Sequence, residues 1–223
     1  MIAETIKHIK DNLPNGVKLV AVSKFHPAEA LMEAYNGGQR LFGENKVQEM
    51  TAKHEVLPKD IEWHFIGHLQ TNKVKYIAPF VAMIHSIDSL HLLTEVNRQA
   101  EKAGRVIDVL LQIHIAHEET KFGMTFDECR ELLSEGSWKQ LTHVRICGLM
   151  GMATFTDDMQ QVEGEFAGLQ AFFEELKSTW FAGEASFKEL SMGMTEDYPI
   201  AIRHGSTLVR IGTLIFGERN YNK

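Results

Sequence analysis

Cysteine is scarce in this chain: Cys129 and Cys147 are the only two among 223 residues. Two thiols at this length do not make a disulfide framework, so a reduced, cytoplasmic setting is the expectation. Long apolar runs are missing as well, and no stretch approaches the ~18 apolar residues of a membrane-spanning helix. The opening residues, MIAETIKHIKDNLPNG, form an amphipathic pattern with charges throughout and lack the continuous apolar core of a secretory signal. Positive charge is not in excess. With 23 Lys+Arg against 30 Asp+Glu the net charge is −7, which argues against a general nucleic-acid binder. Metal-binding spacing is also lacking: there are eleven histidines but no HExxH and no paired Cys-x-x-Cys. His114 and His117 read better as solvent-facing or pocket-lining than as ligands, so no metal is expected.

What is present is material for a substantial core. Hydrophobic residues make up 44% and charged residues 24%, the balance of an ordered globular chain. Short apolar runs recur at 18–22, 40–43, 61–66, 81–86, 106–115, 143–150, 187–192 and 207–212, and each reads as a strand. Helical patterns separate them at 28–36, 45–57, 70–77, 89–103, 125–134, 158–177 and 195–203. In 89–103, Leu90, Leu93, Val96 and Ala100 share one face, and Gly104 stands where a C-terminal cap belongs. Eight such alternations without a linker predict an α/β fold, a single (β/α)8 TIM barrel preceded by one extra helix, with residues 1–223 as one domain. A doubly wound sheet is the rival topology.

The strand ends carry the chemistry. Nearly every strand candidate finishes in polar or glycine residues, and in a barrel these ends converge on one face, where active sites are built. The run LVAV at 19–22 leads into Ser23 and Lys24. A lysine ending a buried strand either reaches back to solvent or is paired or chemically used. Two glycine-bearing turns follow the seventh and eighth strand candidates: LSMGMTED at 190–197, with Ser191, Gly193 and Thr195, and VRIGTLIFGER at 209–219, with Gly212 and Thr213. Barrels often bind phosphate with these loops, because glycine admits the anion to the backbone and hydroxyls add donors. A phosphate cradle beside a strand-end lysine suggests Schiff-base chemistry, either on a phosphosugar or on the aldehyde of pyridoxal 5′-phosphate (PLP).

The motifs AVSK at 21–24, FGENKVQE at 42–49, WHFIGHLQTNK at 63–73, HSIDS at 85–89, GLMGMAT at 148–154, LSMGMTEDY at 190–198 and GSTLVRIGTLIFGER at 205–219 span nearly the whole chain in order. In these the sequence resembles the pyridoxal phosphate homeostasis proteins, relatives of the barrel domain of alanine racemase. The resemblance implies that Lys24 holds PLP as a Schiff base. It implies that Ser191, Gly193, Met194, Gly212 and Thr213 hold the phosphate and that Arg210 faces the pyridine nitrogen. Asn45, His64, His85 and Ser86 would line the pocket near the ring, with Met150 in its wall. One departure is His114, which stands where the resemblance expects asparagine.

On this reading Arg210 keeps its proton, so the ring nitrogen would stay unprotonated and carbanion chemistry would be only weakly promoted. The function implied is PLP homeostasis, that is, storing, delivering or buffering the cofactor without a known reaction, with PLP-dependent apoenzymes as candidate acceptors. The alternative is a PLP-dependent racemase or lyase, and an aldolase using Lys24 stands third. A racemase needs an acid–base group on each face of the carbanion. The four tyrosines, Tyr35, Tyr76, Tyr198 and Tyr221, fall in helix or tail positions, and Lys223 comes eleven residues after Gly212, too soon for the additional β-domain of alanine racemase. The absence of that domain is compatible with a monomer.

Overall fold

The computed structural model describes residues 1–217; Glu218, Arg219 and Tyr221, which the sequence reading placed in a motif and in the tail, lie outside the described residues. The chain opens with helix α1 (Ile2–Asn12), followed by β1 (Lys18–Val22), α2 (Ala28–Asn36), β2 (Leu41–Glu44) and α3 (Val47–Val56). Then come β3 (Glu62–Phe65), α4 (Val74–Ile77), β4 (Met83–Ile87), α5 (Leu90–Lys102), β5 (Ile107–Ile113) and α6 (Phe126–Glu135). The last part holds β6 (Val144–Gly151), α7 (Met159–Ser178), β7 (Glu189–Ser191), α8 (Tyr198–Arg203), β8 (Leu208–Ile211) and α9 (Thr213–Phe216). Eight strands pair in sequence order into a closed barrel, and β1 closes it in parallel register on β8, Lys18 beside Leu208 and Ala21 beside Ile211. This is the (β/α)8 barrel with its additional N-terminal helix. The expected strands all form, β1 with the expected bounds and the others with ends shifted by one or two residues.

Alternation along each strand divides the core into two layers. Leu19, Ala21, Trp63, Phe65, Val209 and Ile211 point outward into the shell between barrel and helices. Val20, Met83, Leu110, Cys147, Met150 and Leu208 fill the inside. Strands buried on both faces explain why the apolar runs are almost continuous and not alternating. Helix ends follow local chemistry. Thr125 and Glu128 form a reciprocal capping box on α6, Ser89 caps α5, and Asp158 accepts from two amides at the start of α7. Gly104 follows α5 at φ +65°, as its position in the sequence predicts. Two short elements escaped the sequence pattern, the 3₁₀ turn Ser137–Gln140 and α9, both too brief to show a helical period.

Strand β6 carries one residue more than β5 can match, since Val109 pairs with Ile146 and Leu110 with Gly148, leaving Cys147 as a bulge. Gly148 takes φ +151°, and a Cβ there would lie 1.7 Å from the carbonyl oxygen of Glu189. Gly148→Ala should therefore lower unfolding stability by about 3 kcal/mol or more. Gly164 lies exposed within α7 with nothing within 4 Å of its missing Cβ, so Gly164→Ala should raise stability by about 0.5–1 kcal/mol. Urea unfolding of the two variants against the parent checks both signs.

Candidate functional site at the C-terminal face

Above the apolar plug the inward positions turn polar. His64 on β3, His85 on β4, Ser191 on β7 and Arg210 on β8 are all buried, and they form one hydrogen-bonded line. The Arg210 guanidinium donates from Nη1 to Ser191 Oγ at 2.6 Å and from Nη2 to the Gly151 carbonyl at 3.0 Å. Ser191 Oγ lies 2.9 Å from His85 Nδ1, and His85 Nε2 lies 2.7 Å from His64 Nδ1. Arginine can only donate, so the serine oxygen accepts from it and has its own proton to give to His85 Nδ1. In the tautomer that accepts this proton, His85 carries its own on Nε2 and donates it to His64 Nδ1. Burial keeps both rings neutral: it pushes His64 down to about 3, with the Lys18 charge adding to the shift, and holds His85 well below the usual imidazole range. Burial also lowers Arg210 to about 10, which leaves it charged at neutral pH.

Arg210 forms part of the wall of a cavity of about 480 Å³ at the C-terminal ends of the strands. Lys24 lines it two residues past β1, Asn45 past β2, Met194 and Thr195 past β7, and Gly212 and Thr213 past β8. Asn45 Oδ1 is buried there without a hydrogen-bond partner among the described residues. The β7 turn is held by Asp197, whose Oδ1 accepts the Met194 amide at 2.5 Å and whose own amide returns to the Met194 carbonyl at 3.2 Å. Burial raises the Asp197 carboxyl above its ordinary range. Gly193 takes φ +94° in this turn, and a Cβ would meet Ala201 Cβ of α8 at 2.6 Å, so turn and helix pack without space for a side chain. The outer wall is apolar, with Phe122, Met152, Phe155 and Met159.

The expected site residues thus fall at two depths. Lys24, Asn45, Met194, Arg210, Gly212 and Thr213 line the cavity, whereas His64, His85, Ser86, Met150, Ser191 and Gly193 do not. Two expectations change in consequence. The Ser191 hydroxyl is turned to Arg210 and His85 and not to the cavity, because it is the inward residue of β7 one layer down. The Met194 amide is already engaged by Asp197. Thr195 takes the hydroxyl position on the cavity wall; it stands in the same turn motif and was visible there as a third polar residue. Gln112 and Thr154, which also line the cavity, carried no separate sequence signal. The departure at His114 falls outside the lining, since its Nε2 donates to the Glu118 carbonyl at 3.0 Å. Among the described residues no group of three or more His, Cys, Asp or Glu is placed to hold a metal ion, and no helix is long and apolar enough to cross a membrane.

With this geometry in view, similarity to known proteins becomes specific. The family described as alanine racemase, N-terminal domain, matches residues 1–220. The chain belongs to this family. Within it, a pyridoxal phosphate homeostasis protein of Aquifex aeolicus is 41% identical over 93% of this chain and 89% of its own length. A protein of the same name from Schizosaccharomyces pombe is 40% identical over 93% of this chain and 86% of its own. Among solved structures, PipY of Synechococcus elongatus with PLP bound superposes with a TM-score of 0.87 at 38% identity, covering 97% of this chain and all (100%) of PipY. Alanine racemase of Streptomyces lavendulae shares the fold, with a TM-score of 0.77 at 15% identity, and this chain spans 56% of that enzyme.

The two neutral histidines make an acid-sensitivity test. Their folded affinity for protons is depressed, so the stability they permit is complete above the unfolded value near 6.5 and is lost as pH falls toward about 3 for His64. The raised Glu44, at about 7, works in the opposite direction over part of that window. His64→Gln removes one histidine and leaves Glu44 in place. Between pH 6.5 and 5 the variant should lose stability less steeply than the parent, by up to about 1.4 kcal/mol per pH unit, in urea titrations at stepped pH.

Proposed function

We propose that this protein binds PLP in the C-terminal cavity, holds it on Lys24, and acts in PLP homeostasis without a catalytic turnover of its own. One observation carries the reading: a strand-end lysine and a buried arginine line the same cavity, with Thr195, Gly212 and Thr213 in the two turns flanking β8. The residues present fit the group. A volume of about 480 Å³ lies within the range of small-molecule sites, and the unpartnered Asn45 Oδ1 offers a buried acceptor to a ring hydroxyl. Bound PLP supplies an aldehyde that a lysine amine captures as a Schiff base.

The chain's own residues then have distinct tasks. Lys24 supplies the amine. Thr195, Gly212 and Thr213 supply hydroxyl and backbone donors for the phosphate, and Gly193 lets the β7 turn close on α8. Arg210, fixed by Ser191 and Gly151, presents a cation that does not give up its proton at neutral pH, so it holds a ring nitrogen as an acceptor without protonating it. Ser191, His85 and His64 hold Arg210 from below. None of Tyr35, Tyr76 and Tyr198 lines the cavity, so the described tyrosines offer no second base opposite Lys24. We read residues 1–223 as a single PLP-binding domain working in the cytoplasm, compatible with a monomer, with PLP-dependent apoenzymes as acceptors.

Mixing the protein with PLP and reducing with borohydride should leave the adduct on Lys24 in the peptide map. Attachment mainly at Lys73 or Lys121 would overturn the assignment. Pyridoxal without its phosphate should bind at least ~100-fold more weakly, since each charge-assisted hydrogen bond contributes roughly 1.5–3 kcal/mol.

Incubation of the PLP-loaded protein with L-alanine in deuterated water should give Cα exchange no faster than free PLP. Turnover in the ordinary enzyme range of ~1–1000 per second would replace this reading with that of a racemase.

A further inference from the structure

Three features outside the cavity meet at one place. The first is backbone strain: Phe25 is the only non-glycine residue with positive φ, at 68°, among the described residues. A bulky side chain in that region is unfavourable and persists only where surrounding contacts fix it. The second is a buried charge cluster, in which Glu44 is fully buried and Lys53 is 7% exposed. The third is the motif FGENKVQE, of which only Asn45 reaches the cavity.

The contacts join these features around Lys24. The Phe25 amide donates to Glu49 Oε1 at 2.6 Å. Lys53 Nζ donates to the same oxygen at 2.7 Å, to Glu44 Oε1 at 2.7 Å and to the Ser23 carbonyl at 2.8 Å, which uses all three ammonium protons. The Ser23 hydroxyl donates to Glu44 Oε1 at 2.6 Å. Ser23 and Phe25, the residues on either side of Lys24, are therefore each tied into one network that reaches from β2 to α3. Neither Ser23, Glu44, Glu49 nor Lys53 lines the cavity.

A contribution to stability is a poor account of this cluster. Burying an ion pair costs desolvation that its attraction barely offsets, and Glu44 Oε2 is buried with no partner among the described residues. Burial raises the Glu44 carboxyl to about 7 in spite of the adjacent ammonium. We propose that Glu44, Lys53 and Glu49 form a clamp that positions Lys24, holding the strained turn at Ser23–Phe25 so that the amine enters the cavity along the direction β1 gives it. The inference rests on the PLP reading above and adds positioning residues to it.

The test separates attachment from pocket binding. Pyridoxine 5′-phosphate has an alcohol in place of the aldehyde, so it can use the pocket but cannot bond to the lysine. In Glu49→Ala the affinity for PLP should fall at least about tenfold, equivalent to about 1.4 kcal/mol, while that for pyridoxine 5′-phosphate should change by less than about twofold on the same scale. Lys53→Met, which keeps most of the side-chain volume, should give the same split. Glu49→Gln retains an oxygen for the Phe25 amide and should recover much of the loss. Hydrogen exchange supplies a readout without ligand: the Phe25 amide should be protected in the parent and exchange faster in Glu49→Ala. Equal losses for both ligands, or no loss for either, would overturn the clamp, as would an unprotected Phe25 amide in the parent. A parent protein that binds neither ligand but shows the protected amide would remove the PLP reading and leave the clamp as a geometric fact without that role.

Discussion

Closure of the barrel through the β1–β8 ladder is the constraint on which the site depends. Four consecutive residues of β1, Lys18 to Ala21, pair in parallel with Leu208 to Ile211. That register carries the chain ends of both strands to the same height, so that Lys24, just past β1, and Gly212 with Thr213, just past β8, line one cavity although nearly the whole sequence separates them. Lys18 adds an ion pair at the opposite end, its Nζ 2.7 Å from Glu189 Oε1. Without closure, β1 and β8 would be sheet edges, and Lys24 and the turn residues Gly212 and Thr213 would have no common wall. The fold therefore delivers by topology what no local sequence element could.

Inside that frame, the barrel handles two buried cations in opposite ways. Lys53 is met by two carboxylates, and the resulting cluster is satisfied around the ammonium but leaves one carboxylate oxygen unpartnered among the described residues. Among the described residues no carboxylate contacts Arg210 directly; its bonds go to a hydroxyl and a carbonyl, and Asp197 acts on it only through space. A direct carboxylate would neutralise the guanidinium and occupy its donors. Neutral partners orient it and leave its charge to act on whatever fills the cavity. The histidine line serves the same end, because a charged imidazole beside Ser191 would oppose the arginine. Burial works against the Arg210 charge itself, but by keeping both rings neutral it spares the guanidinium a second cation at this depth.

Much of this was visible in the sequence, and the physical reason is periodicity. Strands buried on both faces read as apolar runs, and runs such as KLVAV and IEWHFI mark β1 and β3 to within a residue or so at each end. Lys24, Asn45, Gly212 and Thr213 were legible because they stand at strand ends, where a barrel exposes side chains to one face. Depth was less legible. Ser191 and Thr195 look alike in LSMGMTED, yet one is an inward strand residue and the other a turn residue on the cavity wall; only the register of β7 against β6 and β8 separates them. The clamp was hidden for a different reason. Glu49 and Lys53 are four apart on α3 and read as an ordinary surface pair, and nothing in the sequence says that β1 delivers a strained amide to that helix.

The location of the strain bears on how a strand-end lysine is given a fixed direction. A lysine on a relaxed strand end would sample many directions, and ordering it on binding would cost entropy. Here the ordering is done in the folded protein, by the Phe25 amide on Glu49 and the Ser23 groups on Glu44 and Lys53, and these contacts lie outside the cavity. The cavity wall and the contacts that direct the amine are then separate sets of residues: the turn residues and Arg210 line the cavity, whereas the contacts of Ser23 and Phe25 come from β2 and α3. A site divided in this way can present its lysine at a fixed angle while the cavity mouth, walled by Phe122, Phe155 and Met159, stays open to solvent. The same barrel in alanine racemase is only part of a longer chain. In this sequence the directing contacts come from the barrel's own second strand and third helix.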